Sequence, residues 1–219
     1  MTVPLTGDVR HGIRRWGSLG NFIDGDCVIA AFEHARMCKG TAKASSWQKL
    51  IWKLGFRPPH TPYSLSVYAK YLATIGQKPG PEVGVAPDAF FTWAKEQGLI
   101  IDWGHLTSLT RDSLHQAMLD YNGVVLAIQL TQDAYHNVWD NQAWSIGTDP
   151  GSQPDPTLGH ATLLVQYNAD EDAVVTWGRT KNQTAQFTTV TTWGAYVFLD
   201  EQDRNRPNFN QLLAGIANL

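Results

Sequence analysis

The pattern of apolar and polar positions changes character a little past the middle of the chain. Before residue 124 apolar residues recur at three- and four-residue spacing, which predicts helices. The clearest run is Gly25 to Gly40, almost wholly apolar for two turns after Cys27 and therefore expected to be buried on most sides. Asp26 is placed as its N-cap, Lys39 as a charge suited to the C-terminal dipole, and Gly40 as its stop. Further helices are predicted over Ser45 to Leu54, Ser64 to Ile75, Pro87 to Gln97 and Arg111 to Tyr121, with Gly98 to Ile101 a short extended piece at best.

Beyond residue 124 the runs become short, apolar and rich in β-branched residues. Val124 to Leu130 reads as a buried strand and Gly151 to Thr157 as a loop. His160 to Tyr167 and Ala173 to Trp177 read as strands joined by the polar turn Asn168 to Asp172. Ala185 to Thr189 and Ala195 to Leu199 are expected to complete the strands, and a short helix to follow from Asn208. A helical part followed by antiparallel strands is an α+β arrangement: one domain of 219 residues with a helical lobe (1–123) facing a sheet lobe (124–219). A site between the lobes would take one group from each.

Composition narrows the function classes. At 43% hydrophobic and 17% charged the chain has enough apolar material for a full core. The net charge is −3, and the densest basic cluster, Arg10 to Arg15, is too small a footprint for binding nucleic acid through phosphates. No apolar run reaches the ~18 residues of a membrane span. The N-terminal stretch lacks the apolar centre of a signal peptide, so the expected location is cytoplasmic or in a virion. Nine tryptophans are many to bury, and some are expected half exposed along a groove. Cys27 and Cys38 on one helix would lie roughly 16 Å apart along its axis, beyond the ~7 Å a disulfide allows. The spacings His-x-x-x-His and Cys-x-x-Cys are missing, as is a P-loop, so neither a metal nor a cofactor is expected.

Two residues carry candidate chemistry. Cys27 stands at the first turn of its helix, where free backbone N–H groups and the dipole favour a thiolate, while Asp24 and Asp26 oppose it. Position alone leaves a buried structural cysteine equally open. His34 shares the helix but lies about 10 Å along its axis, out of reach. His160, after Gly159, opens an otherwise apolar strand, and a titratable group there needs a partner or a role.

Taken together with chain order, these residues resemble a known family. Asn21-Phe22-Ile23-Asp24-Gly25-Asp26-Cys27 resembles the papain-like run in which an amide side chain precedes the nucleophilic cysteine by six residues. Gly159-His160-Ala161-Thr162 resembles the family's Gly-His-Ala-Val strand, and Val175-Thr176-Trp177-Gly178 its Asn-Ser-Trp-Gly run. The closer likeness is to papain-like or C39-like proteins of bacteria and phages. The resemblance implies a papain-like two-lobe fold with the cysteine on the central helix. It also implies Cys27 as nucleophile, His160 as base, and Asn21 with the Cys27 N–H as oxyanion hole. The imidazole's usual Asn or Asp partner is replaced: counting from the two motifs gives Val175 or Thr176, of which only Thr176 can accept a hydrogen bond. Adjacent strand residues face opposite sides, so one alone can serve. Asp26, Gly159, Trp177 and Trp144 are the expected cleft residues, the last from a loop, Trp139 to Trp144, whose rings could instead cap a core. The implied activity is hydrolysis of a peptide or related amide through a Cys27 thioester. The alternative is a catalytically weak or inactive scaffold, for example a phage virion component with a virion or tail partner.

Overall fold

A computed structural model describes residues 3–13, 15–21, 24–42 and 64–219. The helix expected over Ser45 to Leu54 lies outside them. The elements run β1 (Gly7–Asp8), α1 (Cys27–Ala42), α2 (Ser64–Thr74), α3 (Pro87–Glu96), β2 (Asp102–His105), α4 (Arg111–Tyr121), β3 (Val124–Thr131), α5 (Gln132–His136), β4 (Pro154–Tyr167), β5 (Glu171–Thr176), β6 (Arg179–Thr184), α6 (Ala185–Thr191), β7 (Thr192–Leu199) and α7 (Phe209–Ile216).

The strands form one antiparallel sheet in the order β2-β7-β3-β4-β5-β6, with β1 added beside β4. Val124 to Ile128 are all buried, so the centre of the sheet is covered on both faces. Helices α1 and α4 both pack on β3 and β4. Two strands, β1 and β2, come from before residue 124, so the sheet draws on both parts of the chain.

An aromatic cluster joins helices to sheet. Phe32 of α1 meets Phe90 and Phe91 of α3 and Phe198 of β7, while Phe91 stacks on Trp103 of β2 and Tyr196 of β7. Burying each phenyl ring contributes about 1.5–3 kcal/mol, so this cluster fixes where the N-terminal end of α1 meets the sheet.

Several expectations need correction. Helix α1 continues through Gly40 to Ala42. Lys39 does stand in the last turn, and its buried Nζ also donates to Phe198 O at 2.9 Å and to Asp203 Oδ2 at 2.7 Å, tying the helix to the end of β7. Asp26 occupies the cap position, its carbonyl accepting from Ala30 N at 2.9 Å, but neither carboxylate oxygen accepts a hydrogen bond. Pro154 to Thr157 belong to β4, which pairs as far as Thr131↔Pro154 beyond a bulge, rather than to a loop. Ala185 to Thr189 are helical, not a strand. Thr184 Oγ1 caps α6 by accepting from Phe187 N, and the hydroxyls of Thr189 and Thr191 donate to the carbonyls four residues back. The cap favours the helix start despite the β propensity of its threonines, and the back-bonds satisfy their hydroxyls within the helix. The strands Asp102–His105 and Arg179–Thr184 and the helix α5 were not anticipated.

Candidate active site

The first turn of α1 sets Cys27 against β4. The cysteine keeps some surface, but its sulfur sits deep beside the backbone N–H of Ala161, the residue after His160. Burial pushes the thiol up to about 11. The N–H groups of Ala161, Val28 and Cys27 pull the other way and Asp26 adds to the rise. The helix start does stabilise a thiolate, as the sequence predicts, but desolvation outweighs it. Cys38, likewise in no disulfide, is wholly buried in the core, and burial raises its thiol too.

His160 is buried near the start of the inward part of β4. Its Nε2 lies 2.7 Å from Thr176 Oγ1 on β5. The register Leu163↔Val175 explains the pairing. One step on, Thr176 falls beside Thr162, two residues from His160 and on the same face. Val175 points the other way and is buried. The Trp177 ring stacks on the imidazole, centroids 4.1 Å apart and planes 10° from parallel. Burial alone drives the imidazole's pKa down to about 3.

Trp177 reaches that position from a left-handed backbone, φ 43°, a conformation costly for a bulky residue and commonest at functional sites. Gly178 follows at φ 77° and bridges to Gly17. A Cβ on Gly178 would fall 2.6 Å from both Gly17 C and Ser18 N, so no side chain fits. This bridge ties the sheet to the segment 17–21, itself bent by left-handed Gly17, Leu19 and Gly20. His34 holds the same segment. Its Nε2 donates to Gly17 O at 2.9 Å and its ring meets Trp16 edge-on. Ser64 Oγ donates to Leu19 O and Trp16 Nε1 to Thr180 Oγ1. His34 is thus fully explained as a clamp, and burial pushes its pKa down to about 4.

The segment so held presents Asn21. Only 9% of its surface is exposed. Its side-chain amide makes no hydrogen bond among the described residues and faces a cleft of about 480 Å³. Asn21, Asp24, Pro81 and Glu82 form one side, and Tyr135, His136, Val138, Trp139 and Trp177 the other. The first side is assembled by Gly25, whose N–H donates to Gly80 O at 3.1 Å and whose missing side chain leaves room for Val83 O. The second is carried on α5, capped by Thr131 Oγ1 accepting from Ala134 N. Lys181 stiffens it by donating to Asn137 O and Asp140 Oδ1, and Arg179 lies over the Trp139 ring.

The structure therefore brings Cys27, His160, Thr176, Trp177 and Asn21 to one place between helices and sheet. Three expected cleft residues stand apart from it. Asp26 is fully buried, below the segment bearing Asn21 rather than on the cleft surface. Its unpartnered carboxyl is pushed up to about 7 by burial and by Asp24. Trp144 is buried behind the wall, packed on Phe187 and the edge of Trp177. The exposed ring of that loop is Trp139, at 59%. Gly159 faces open space next to the site. Asp24, Glu82 and the α5 wall escaped the sequence reading. A Thr-x-x-Ala start at Thr131 signals α5, while nothing local marks residues 80–84 as neighbours of Gly25.

Among the described residues no group of His, Cys, Asp and Glu is arranged to hold a metal ion, and no helix is long and apolar enough to cross a membrane. No family model matches the sequence, and no curated protein matches it. Solved structures do. Digestive procathepsin L 3 of the Tenebrio molitor larval midgut superposes over 91% of this chain and 71% of its own, at 12% identity and a TM-score of 0.63. The bromelain protease of Ananas comosus, in complex with the E64 inhibitor, superposes over 91% of this chain and 100% of its own, at 10% identity and a TM-score of 0.56. The chain thus has the two-lobe α+β fold of the papain-like cysteine proteases, with a helical N-terminal lobe and an antiparallel C-terminal sheet.

Proposed function

We propose that the protein is a cysteine hydrolase acting on a peptide or related amide, with Cys27 as nucleophile, His160 as base, Asn21 in the oxyanion hole and Thr176 as the residue that orients the base. The observation that carries this reading is the His160 Nε2 to Thr176 Oγ1 contact at 2.7 Å under the Trp177 ring, on a strand whose next residue touches the Cys27 thiol. With Nε2–H donated to Thr176, Nδ1 carries the lone pair that takes the thiol proton. Sulfur attacks the amide carbon, and the oxyanion is met by the Asn21 amide and the Cys27 N–H. The C–N bond breaks as His160 returns the proton to the leaving amine, giving a thioester. Water, deprotonated by the same imidazole, releases the acid and restores the thiol.

Both groups rest neutral because both are buried. Proton transfer then accompanies attack instead of preceding it, as between a serine hydroxyl and its base. We read residues 1–219 as one such domain, of lobes 1–123 and 124–219, in the cytoplasm or a virion. Its partners on this reading are peptide or protein substrates, not nucleic acid or membrane. The motif likeness points to bacterial and phage papain-like or C39-like proteins.

The second reading is an inactive papain-like scaffold in a virion or tail. The raised thiol and an uncharged hydroxyl where the family has an amide or carboxylate favour it. An epoxide of the E64 type, seen bound to bromelain, separates the two. On the hydrolase reading it adds once, at Cys27, within minutes at neutral pH. Cys27→Ser abolishes capture and His160→Ala slows it at least about a hundredfold. A wild-type chain left unmodified after hours establishes the scaffold reading.

A further inference from the structure

The cleft beside Asn21 has unlike walls. On one side the carboxylates of Asp24 and Glu82 flank Pro81, and among the described residues neither makes an ion pair or a side-chain hydrogen bond. Some acids elsewhere on the surface are paired, as Asp8 is with Arg10, Asp102 with Lys95 and Asp140 with Lys181. Facing them are the rings of Tyr135, Trp139 and Trp177, with Tyr135 set edge-on to Trp177 at 6.3 Å. His136 is the one basic side chain lining the cleft. The Asn21 amide, nine-tenths buried and without a partner among the described residues, opens into the same space and needs an acceptor that a substrate carbonyl supplies.

Free carboxylates opposite aromatic faces form an environment for an alkylammonium or guanidinium group. Trp177 covers the imidazole that protonates the departing amine, so the cleft lies on the leaving side of the bond. We infer that this cleft selects, immediately after the cleaved bond, a substrate residue with a cationic side chain, lysine or arginine, through Asp24, Glu82 and the rings of Tyr135 and Trp177, Arg179 already lying over Trp139. The inference rests on the hydrolase reading for its place in catalysis, while the charge preference of the cleft stands on the walls themselves. Each exposed contact is modest, and together they amount to about tenfold.

The test uses the whole chain and has two arms. In the first, internally quenched peptide pools that differ only in carrying lysine, norleucine or glutamate at one position are cleaved and the cut bond is located by mass spectrometry. Lysine after the cut is expected to exceed norleucine about tenfold in kcat/KM, with glutamate slowest. The lysine-to-norleucine ratio falls to near one in Asp24→Asn/Glu82→Gln and persists in Glu96→Gln, on a distant helix end. In the second arm, Cys27→Ala is titrated with Ac-Ala-Lys-Ala-amide, Ac-Ala-Nle-Ala-amide and Ac-Ala-Glu-Ala-amide while tryptophan fluorescence is followed, and the lysine peptide is expected to bind about tenfold tighter than the others. Cleavage without lysine preference, or a preference that survives the double substitution, overturns the inference and leaves the hydrolase reading standing. Where no pool is cleaved, the hydrolase reading falls and the binding arm decides: a lysine preference upholds the cationic cleft, and equal or no binding of the three peptides overturns it.

Discussion

Two histidines in this molecule are held in nearly the same way and are put to different ends. His160 stacks on Trp177 and sets its Nε2 2.7 Å from Thr176 Oγ1. His115, on α4, stacks on Tyr167 with centroids 3.7 Å apart and planes 5° from parallel, and its Nε2 donates to Asp172 Oδ1 at 2.7 Å. By residue type alone the second is the better copy of a catalytic His–Asp pair. Its surroundings say otherwise. Asp172 also accepts from Arg111 Nη2 at 2.9 Å and from Thr188 Oγ1, and Gln183 Nε2 donates in turn to that hydroxyl. The charged groups there are paired with one another, although Gln183 Oε1 and the Tyr167 hydroxyl find no partner among the described residues, and the network ties α4 and α6 to β5. At His160 the partner is one neutral hydroxyl, the Cys27 thiol lies against the N–H of the next residue, and the nearby Asn21 amide is left open among the described residues. The charge pairing around His115 suits an architectural role, while the neutral, thiol-bearing cluster around His160 is where the proposed site lies.

The largest expected consequence is in stability. Asp172→Asn leaves Arg111 without its counter-charge in a mostly buried network, which costs about 3–5 kcal/mol, read as a lower denaturant midpoint. Thr176→Val removes one neutral hydrogen bond and costs under about 1.5 kcal/mol. Equal losses at the two positions would erase the distinction between the regions.

Acid separates them by pH window. Burial raises the Asp172 carboxyl, but hydrogen bonds from His115, Arg111 and Thr188 outweigh it and hold the group below the usual carboxylate range. Its contribution is complete above the unfolded value near 4 and is lost as pH falls through the folded one. His160 behaves otherwise. Its folded value of about 3 lies below the ordinary 6.5. Between those values the unfolded chain takes up a proton the folded chain refuses, so stability is full above about pH 6.5 and falls below it. At pH 4.5 this amounts to roughly 2–3 kcal/mol, and His34, lowered to about 4, acts in the same sense. Urea unfolding at pH 7 and 4.5 is expected to show the loss, and His160→Gln to reduce it. A stability flat from pH 7 to 4.5 would show that the imidazole is not buried as described.

Next in size is the rate effect of the orienting hydroxyl. Loss of a charged orienter costs about 10⁴ in the serine-protease template, and a neutral one supplies less. Thr176→Val is expected to slow epoxide capture about 10- to 100-fold, and Thr176→Ser to restore most of it. A valine variant as fast as wild type would leave His160 oriented by the Trp177 stack alone.

How far the sequence carries this contrast depends on how local each signal is. Cys27 at a helix start and His160 at a strand mouth are local, and their order along the chain suffices to pair them. Hydrogen-bonding capacity alone favours Thr176 over Val175, but that Thr176 faces His160 needs the β4–β5 register, which adjacent residues cannot reveal. Ala185 to Thr189 read as a strand because threonine is β-branched, and the Thr184 cap that starts a helix there shows in the structure. Trp144 and Trp139 are indistinguishable by type, yet one is core and the other cleft because α5 turns the chain between β3 and that loop. The acidic wall depends on Gly25 meeting Gly80, a contact between segments far apart in sequence.

The finest test asks whether the open site rests as a neutral pair or as a thiolate–imidazolium ion pair. A small reagent such as chloroacetamide reports the free thiol without filling the cleft. With the thiol pushed up to about 11, its anionic fraction at pH 7 is about one in ten thousand. Cys27 is therefore expected to react more slowly than free cysteine at pH 7 and to gain about tenfold per pH unit up to pH 10. An ion pair would instead hold a plateau from about pH 5 upward, because the imidazolium keeps the sulfur ionised until the histidine itself deprotonates. Cys27→Ser supplies the background from Cys38, whose burial makes it slower still. A steep rise with the small reagent, beside rapid capture by the peptide-like epoxide at pH 7, would mean that occupation of the cleft triggers proton transfer to His160. A plateau with the small reagent would mean that the imidazole already holds the proton at rest, and that the His160 pocket admits more water than its packing under Trp177 implies.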